Sequence, residues 1–232
     1  MNYGKRGVRK KQKALNAKTV KWGKKLGFTF IQVVLLFFVS AAVLGTCAGI
    51  GVFQGILATA PDIGNIDVTP SGFSTFVYDI EGHETAKLVS TDSNRIPVSM
   101  DMVPEDLAHA FVAVEDARFY DHNGIDIKGI IRAAVVGIKN KFKFSEGAST
   151  ITQQLLKNNV FTDWTSENTF AEKVQRKIQE QYLALELEKV MEKDDILINY
   201  MNTINLGQNT LGVQAASQRY FNKDVSDLTL SE

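Results

Sequence analysis

The pattern of apolar and charged positions divides the 232-residue chain into three parts. Residues 1–25 contain ten basic and no acidic side chains, and residues 26–61 contain no charged side chain. From residue 62 onward, charged residues alternate with short apolar repeats at helical spacing. The pattern therefore predicts a basic tail, one long apolar helix and a folded part of mixed polarity.

The uncharged run is long enough to cross a membrane. About 20 apolar helical residues span a bilayer, and 35 uncharged residues precede Pro61. Because basic flanks stay on the cytoplasmic side, we expect a cytoplasmic N-terminus and an extracytoplasmic remainder. The alternative is a cleaved signal peptide, since Ala58-Thr59-Ala60 has the small residues of a cleavage site. Signal h-regions are only about 7–15 residues long, so the length favours a retained anchor.

The chain beyond the anchor predicts a short β element followed by helices. FSTFVYD from residue 73 and AKLVST at 86–91 read as two strands around a turn at 81–84. The predicted fold class is mainly α, with an N-terminal transmembrane helix and a β-hairpin spacer. The boundaries we predict are a basic cytoplasmic tail, an anchor, a spacer and a helical domain, at 1–25, 26–60, 61–103 and 104–232.

The helical domain begins at Pro104, a residue suited to a first helical position. Four apolar residues follow at i, i+3, i+4 and i+7 and predict a core-facing stripe: Leu107, Ala110, Phe111 and Val114. Glu115 lies four residues after Phe111, so we expect it partly buried at the rim between core and cleft. Further helices are predicted over 127–138, from Ser149-Thr150, and over 171–190, 193–202 and 212–221.

Helix-start signals mark two other places. Thr150 and Gln153 have the spacing of a capping box. Thr229 and Glu232 have the same spacing at the end of the chain, where no helix can follow. We therefore expect the domain to be truncated at its C-terminal end.

Composition excludes several classes of protein. A hydrophobic content of 44% supports a real core. Residues 26–232 carry 16 basic and 26 acidic residues, so the net charge of zero averages a basic tail with an acidic remainder. Cys47 is the only cysteine, which excludes disulfides and cysteine metal sites within one chain. No Ser-x-x-Lys appears, so nothing supports penicillin-type acyl transfer.

Four clusters contain side chains suited to chemistry: EDARFYDHNG at 115–124, EGASTITQQLLKN at 146–158, RKIQE at 176–180, and residues 200–212. Each has a structural explanation, such as solvated carboxylates, a turn histidine, a surface ion pair between Arg176 and Glu180, or a polar surface helix. In the second cluster, helical spacing brings Gln153 and Gln154 near Lys157. A lysine flanked by amides near a helix N-terminus suits an anion such as phosphate.

Taken together, these motifs resemble the peptidoglycan glycosyltransferases of family 51, which occur in class A penicillin-binding proteins and in monofunctional enzymes. EDARFYDHNG matches the family's Glu-Asp-x-x-Phe-x-x-His-x-Gly, and GASTITQQLLK matches its Gly-x-Ser-Thr-x-Thr-Gln-Gln-x-x-Lys. RKIQEQYLALELE and KDDILINYMN match two further blocks, with Met201 in place of leucine, and GVQAASQRYFNK is similar to a fifth. The five motifs occur in order across residues 104–223.

The resemblance implies a lysozyme-like fold that polymerises lipid II at the outer face of the bacterial cell membrane, with release of undecaprenyl pyrophosphate. It implies Glu115 as general base, and Glu180 as a catalytic residue that holds cations, binds a metal or assists the leaving group. The implied substrate-binding residues are Asp116, Phe119, His122, Ser149, Thr150, Gln153, Gln154, Lys157, Arg176 and Lys177. Within that set, we expect Asp116 and His122 to support the orientation of Glu115.

The resemblance also implies partners and a cofactor. The partners are lipid II, the growing glycan strand, the cytoplasmic membrane and other cell-wall synthesis proteins, with no nucleic acid. The implied cofactor is a divalent cation, Mg²⁺ or Mn²⁺, without an organic cofactor. Two other readings stay open: an inactive membrane-anchored fragment or scaffold, and a lysozyme-like enzyme that cleaves glycan. The segment between Lys157 and Arg176 reads as a flap with Trp164 at the membrane or donor side, or as ordinary packing.

Overall fold

The computed structural model describes residues 4–89, 93–140 and 147–232, apart from the side chains of residues 18–21 and 163. The chain divides into two compact units, Met1–Gly55 and Ile56–Glu232. The three domain boundaries predicted from the sequence remain predictions.

The first unit is helical. Helix α1 covers Lys5–Leu15, and helix α2 covers Lys18–Ala58, so that its last turn belongs to the second unit. The most apolar stretch of α2 has a mean hydropathy of 2.4, and none of that stretch is buried. By length and composition it is a candidate membrane span.

The second unit contains the predicted hairpin. Strand β1, Thr75–Tyr78, pairs antiparallel with β2, Glu84–Leu88. The Asp79 carboxylate closes the turn by accepting the backbone N–H groups of Glu81 and His83. The return strand β2 begins two residues earlier than predicted, at Glu84. The last two residues of its predicted range, 90 and 91, lie outside the described residues.

In the described part of the chain, six helices follow the hairpin: α3 Glu105–Glu115, α4 Ile127–Lys139, α5 Ile151–Asn159, α6 Phe170–Leu187, α7 Lys193–Thr203 and α8 Val213–Phe221. All six correspond to predicted helices, which confirms the mainly α class. Helix α6 begins at a full capping box, in which Thr169 and Glu172 each accept the other's backbone N–H.

The core lies where α5 packs against both α6 and α7. Its fully buried side chains include Leu155 and Leu156 from α5, Leu183 from α6 and Leu197 from α7. Burying one leucine contributes about 2 kcal/mol, so this contact fixes three of the motif-bearing helices against each other.

The predicted core-facing stripe of α3 is partly wrong. In α3, Ala108 is buried, whereas Val114 is 81% exposed. In α4, the buried residues are Gly129 and Gly137, and its apolar stripe remains exposed: Ile127, Ile130, Ile131, Val135 and Ile138. Periodicity locates an apolar face but does not tell which neighbour covers it.

Candidate functional site

Glu115 is the last residue of α3 and is exposed to solvent. The expected partial burial is therefore wrong, although the position at the edge of a cleft is present. The carboxylate and Ser149 both line a polar cavity of about 260 Å³. One oxygen, Oε2, accepts a hydrogen bond of 3.0 Å from Nε2 of Gln154 on α5. The amide oxygen of Gln154 accepts in turn from the hydroxyl of Tyr200 at 3.1 Å.

Asp116 has a different environment from its neighbour Glu115. It is only 6% exposed and accepts hydrogen bonds from Nε2 of His122 at 2.9 Å and from the backbone N–H of Ile151 at 3.2 Å. A carboxylate at the first N–H groups of a helix satisfies free donors and complements the helix dipole. Asp116 therefore fixes the start of α5 beside Glu115.

Two further side chains of the first motif, Phe119 and His122, are also inside the protein. Phe119 is fully buried, and the His122 side chain is 9% exposed. Direct substrate binding by Asp116, Phe119 and His122, as expected from the resemblance, is not supported by this burial. Their contacts support the other expectation, that Asp116 and His122 orient the segment around Glu115.

Gly124 joins three motifs at one point. Its carbonyl oxygen accepts hydrogen bonds from Oγ1 of Thr150 at 2.7 Å and from Nε2 of Gln153 at 3.4 Å. Its φ of +83° is favourable for glycine, and a Cβ there would lie 2.6 Å from the carbonyl carbon of Ala184 on α6.

These contacts revise the predicted roles of α5. Thr150 caps the helix by accepting the N–H of Gln153, as predicted, but the Gln153 side chain points to Gly124 instead of returning to the cap. Thr150 and Gln153 are both buried, so they are not available to substrate in this structure. The polar-surface-helix alternative is also wrong, because Ile151, Leu155 and Leu156 are fully buried.

Glu180 lies at the centre of a buried ion-pair cluster on α6. Its side chain is fully buried, and its two oxygens accept hydrogen bonds from Nη1 of Arg176 and, at 2.6 Å, from Nζ of Lys177. Arg176 also donates Nε–H to Glu167 at 2.6 Å. Burial lowers the pKa of Arg176, but its bonds to Glu167 and Glu180 outweigh burial and raise it overall. The simple surface ion pair between Arg176 and Glu180 is therefore wrong.

Two lysines complete the cluster. Lys177 donates to Oγ of Ser149 at 3.3 Å and remains 41% exposed, so its ammonium connects the ion pairs to the cavity beside Glu115. The ammonium of Lys157 lies 4.1 Å from the ring centre of Trp164. Burial, followed by the positive charge of Lys177, lowers the pKa of Lys157. The arrangement concentrates positive charge next to an exposed carboxylate.

Among the described residues, one group has three metal-ligand side chains within reach of each other, namely Asp79, Glu81 and His83. This group lies on the hairpin turn, where the Asp79 carboxylate already accepts the backbone N–H groups that close the turn. In the α6 cluster, both oxygens of Glu180 are engaged, whereas Oε2 of Glu167 is buried without a hydrogen-bond partner. Glu167 is thus the residue of this cluster with a free oxygen for a cation.

Tyr200 opens the fourth cluster but was given no role in the site, and Glu167 was in none of the four clusters. A tyrosine buried in a helix needs a partner for its hydroxyl, and that requirement was a signal for Tyr200. Burial, together with the charge of Glu115, raises the pKa of Tyr200 well above its usual range, so its hydroxyl remains a hydrogen-bond donor. Glu167 precedes α6 in an irregular segment, where no pattern indicated it.

The chain is similar to known proteins over most of its length. The transglycosylase family model matches residues 81–232, which contain every candidate residue. Penicillin-binding protein 1A of Clostridium botulinum (strain Langeland) is 41% identical over 90% of this chain and 25% of its own length. The corresponding proteins of Clostridium perfringens (strain ATCC 13124) and Escherichia coli (strain K12) are 40% and 38% identical, over 97% and 88% of this chain and 26% and 23% of their own lengths.

The chain therefore spans about a quarter of the length of these relatives. The match extends over more than half of the chain and includes the ion-pair cluster and the exposed carboxylate. On these grounds, the chain belongs to the transglycosylase family.

Proposed function

We propose that the chain is a peptidoglycan glycosyltransferase that polymerises lipid II into β-1,4-linked glycan, with release of undecaprenyl pyrophosphate. The observation that carries the proposal is the exposed Glu115 carboxylate, held by Gln154 and opening onto the same cavity as Ser149, which Lys177 contacts. Family membership supports the reaction class.

Glu115 acts as the general base. Its carboxylate accepts the proton of the acceptor sugar's 4-hydroxyl while that oxygen bonds to the anomeric carbon of the donor. The bond from this carbon to the pyrophosphate oxygen breaks, and the electron pair leaves with the pyrophosphate. A positioned base of this kind contributes about 10²- to 10⁴-fold. Exposure of Glu115 leaves room for a sugar hydroxyl to reach it.

Lys157, Arg176 and Lys177, here called the cation cluster, stabilise the leaving pyrophosphate. Preorganised positive groups are most effective where charge develops in the transition state. Lys157 and Lys177 are the groups that contact the phosphates, with Ser149 beside them, whereas Arg176 is engaged by two carboxylates. Of the three roles considered for Glu180, its contacts favour holding Arg176 and Lys177 in place.

A divalent cation fits one position in this cluster. Mg²⁺ is commonly bound by one or two carboxylates together with substrate phosphates, and Oε2 of Glu167 is a buried oxygen without a partner. Glu167 would hold such an ion, which would neutralise charge on the pyrophosphate. Lys157 and Lys177 perform the same task from the protein side.

The apolar helix α2 anchors the chain in the bacterial cell membrane, with the basic tail in the cytoplasm and the domain outside. The charge pattern supports this orientation, because ten basic residues precede the span and no acidic residue accompanies them. The membrane then also presents the lipid-linked substrate, and other cell-wall synthesis proteins are further partners.

Glycan cleavage is the competing activity. Glycosidases of the usual kind pair two carboxylates across the scissile bond. Among the described residues, the other carboxylates lining the cavity of Glu115 are Asp116 and Asp126. Asp116 is bound by His122 and Ile151, and Asp126 by Arg118. The described residues thus offer Glu115 a cation cluster and no free second carboxylate, which favours synthesis.

A polymerisation assay tests the proposal. The chain is incubated with lipid II and separately with preformed glycan. We expect polymer from lipid II, no cleavage of glycan, and no polymer from Glu115→Gln, which retains the shape of the side chain. Polymerisation by Glu115→Gln at the parental rate would remove Glu115 as base. If the chain does not polymerise lipid II, the scaffold alternative holds.

A further inference from the structure

We propose that Tyr200 is a positioning residue for the transfer reaction. Its buried hydroxyl sets the orientation of the Gln154 amide, and that amide in turn holds the Glu115 carboxylate. The inference rests on the proposed role of Glu115 as base and adds a residue on α7 that never touches substrate.

The three groups form a continuous hydrogen-bonded chain. Tyr200 donates to the amide oxygen of Gln154 at 3.1 Å, and the amide nitrogen donates to Glu115 at 3.0 Å. A primary amide has an accepting end and a donating end. If the amide were reversed, its oxygen would face the carboxylate, and two acceptors would oppose each other. The hydroxyl of Tyr200 therefore selects the orientation in which Gln154 binds Glu115.

The tyrosine is suited to this task because its side chain is enclosed by packed neighbours. It is fully buried in α7, and its ring contacts Phe111 edge-to-face, with 6.0 Å between ring centres. Phe111 lies one helical turn before Glu115 on α3. The same tyrosine thus packs against the helix that carries the base and, through its hydroxyl, fixes the amide bound to that base.

Removing the hydroxyl alone tests the inference. Tyr200→Phe keeps the ring and its contact with Phe111. We expect kcat for lipid II polymerisation to fall by about threefold to tenfold, the usual effect of losing one hydrogen bond, with KM for the donor little changed. The matched control is Tyr220→Phe, whose hydroxyl donates to the carbonyl of Leu206 at 2.9 Å outside the site. The control should keep the parental kcat.

A double-mutant cycle shows whether Tyr200 acts through Gln154. Gln154→Leu keeps the tyrosine and removes the amide, and we expect a loss of kcat at least as large. Adding Tyr200→Phe to Gln154→Leu should then cost nothing more, because coupled residues are not additive. Additive losses, or a Tyr200→Phe variant with the kcat of the Tyr220→Phe control, would overturn the inference.

A readout without turnover separates this inference from the proposed function. In ¹⁵N-labelled chain, the side-chain amide resonances of Gln154 should shift in Tyr200→Phe and stay in place in Tyr220→Phe. Unmoved resonances overturn the inference even if the parent polymerises lipid II. If the resonances move but the protein makes no polymer, the hydrogen bonds from Tyr200 through Gln154 to Glu115 are supported and the glycosyltransferase function is rejected.

Discussion

Lys157 and Trp164 lie against each other, with the lysine ammonium 4.1 Å from the centre of the indole ring. The tryptophan belongs to a short 3₁₀ helix, Thr162–Ser166, and is 38% exposed. An aromatic face attracts a cation and shields one side of it from water. Of the two readings of Trp164, a position on the donor side is therefore favoured by its contact with a cation-cluster lysine.

Replacing Trp164 with alanine should weaken donor binding. A cation–π contact at a partly exposed site is worth about 0.5–1 kcal/mol, which corresponds to a two- to fivefold higher Kd. Calorimetric titration with a pyrophosphate-containing donor analogue measures the change. Trp22→Ala, at an exposed tryptophan in α2, is the matched control. Tighter binding by Trp164→Ala would show that the ring competes with the donor.

Lys157 should give donor binding an alkaline limit. Burial and the charge of Lys177 lower its pKa below that of a free lysine, so it loses its charge at a lower pH than an exposed lysine does. Donor affinity should fall as the pH rises through that pKa. Lys157→Arg keeps its positive charge over the whole pH range measured and should extend donor binding to higher pH. Lys157→Ala should weaken donor binding at every pH. Identical pH profiles for the parent and Lys157→Arg would contradict this role.

Glu180→Gln should destabilise the fold. The substitution leaves Arg176 with one carboxylate and Lys177 with none in the cluster. Breaking a buried ion pair costs about 3–5 kcal/mol, and the partial exposure of Lys177 places the expected loss near the lower value. Urea unfolding measures it. Glu186→Gln removes the exposed pair between Glu186, which is also on α6, and Lys189, which follows that helix, and should cost about 1 kcal/mol or less.

Gly124→Ala separates backbone strain from steric overlap when it is compared with Gly82→Ala. Both glycines have a positive φ, +83° and +86°. An added methyl group at Gly82 meets nothing within 4 Å, whereas at Gly124 it overlaps the backbone of Ala184. We expect about 1 kcal/mol of lost stability for Gly82→Ala and a larger loss, or no folded protein, for Gly124→Ala. Equal losses in thermal unfolding would show that the contact yields without cost.

The sequence predicted the helices well because their signals are local. The N-cap at Thr150 depends on residues three positions apart, and the hydroxyl accepts the N–H of Gln153 as the spacing required. The destination of the Gln153 side chain was not predictable in the same way. It bonds to Gly124, 29 positions earlier, and no local pattern encodes that contact.

The site shows the same division. Motif matching brought Glu115, Lys157 and Arg176 to attention, but it could not tell an exposed carboxylate from a buried one. Glu115 and Glu180 have opposite environments because one ends a helix and the other faces the packed side of α6. The Tyr200 hydrogen bond was equally out of reach, since it joins α5 to α7 across 46 positions.

The contact of Gly124 with α6 limits which residues this position can hold. Gly124 belongs to the first motif, accepts hydrogen bonds from the second, and lies with its Cα against the backbone of Ala184 in RKIQEQYLALELE. Any side chain at this position would overlap that backbone. Substitution of Gly124 should therefore disturb the packing of three motifs at once, so we expect no residue other than glycine to be tolerated there.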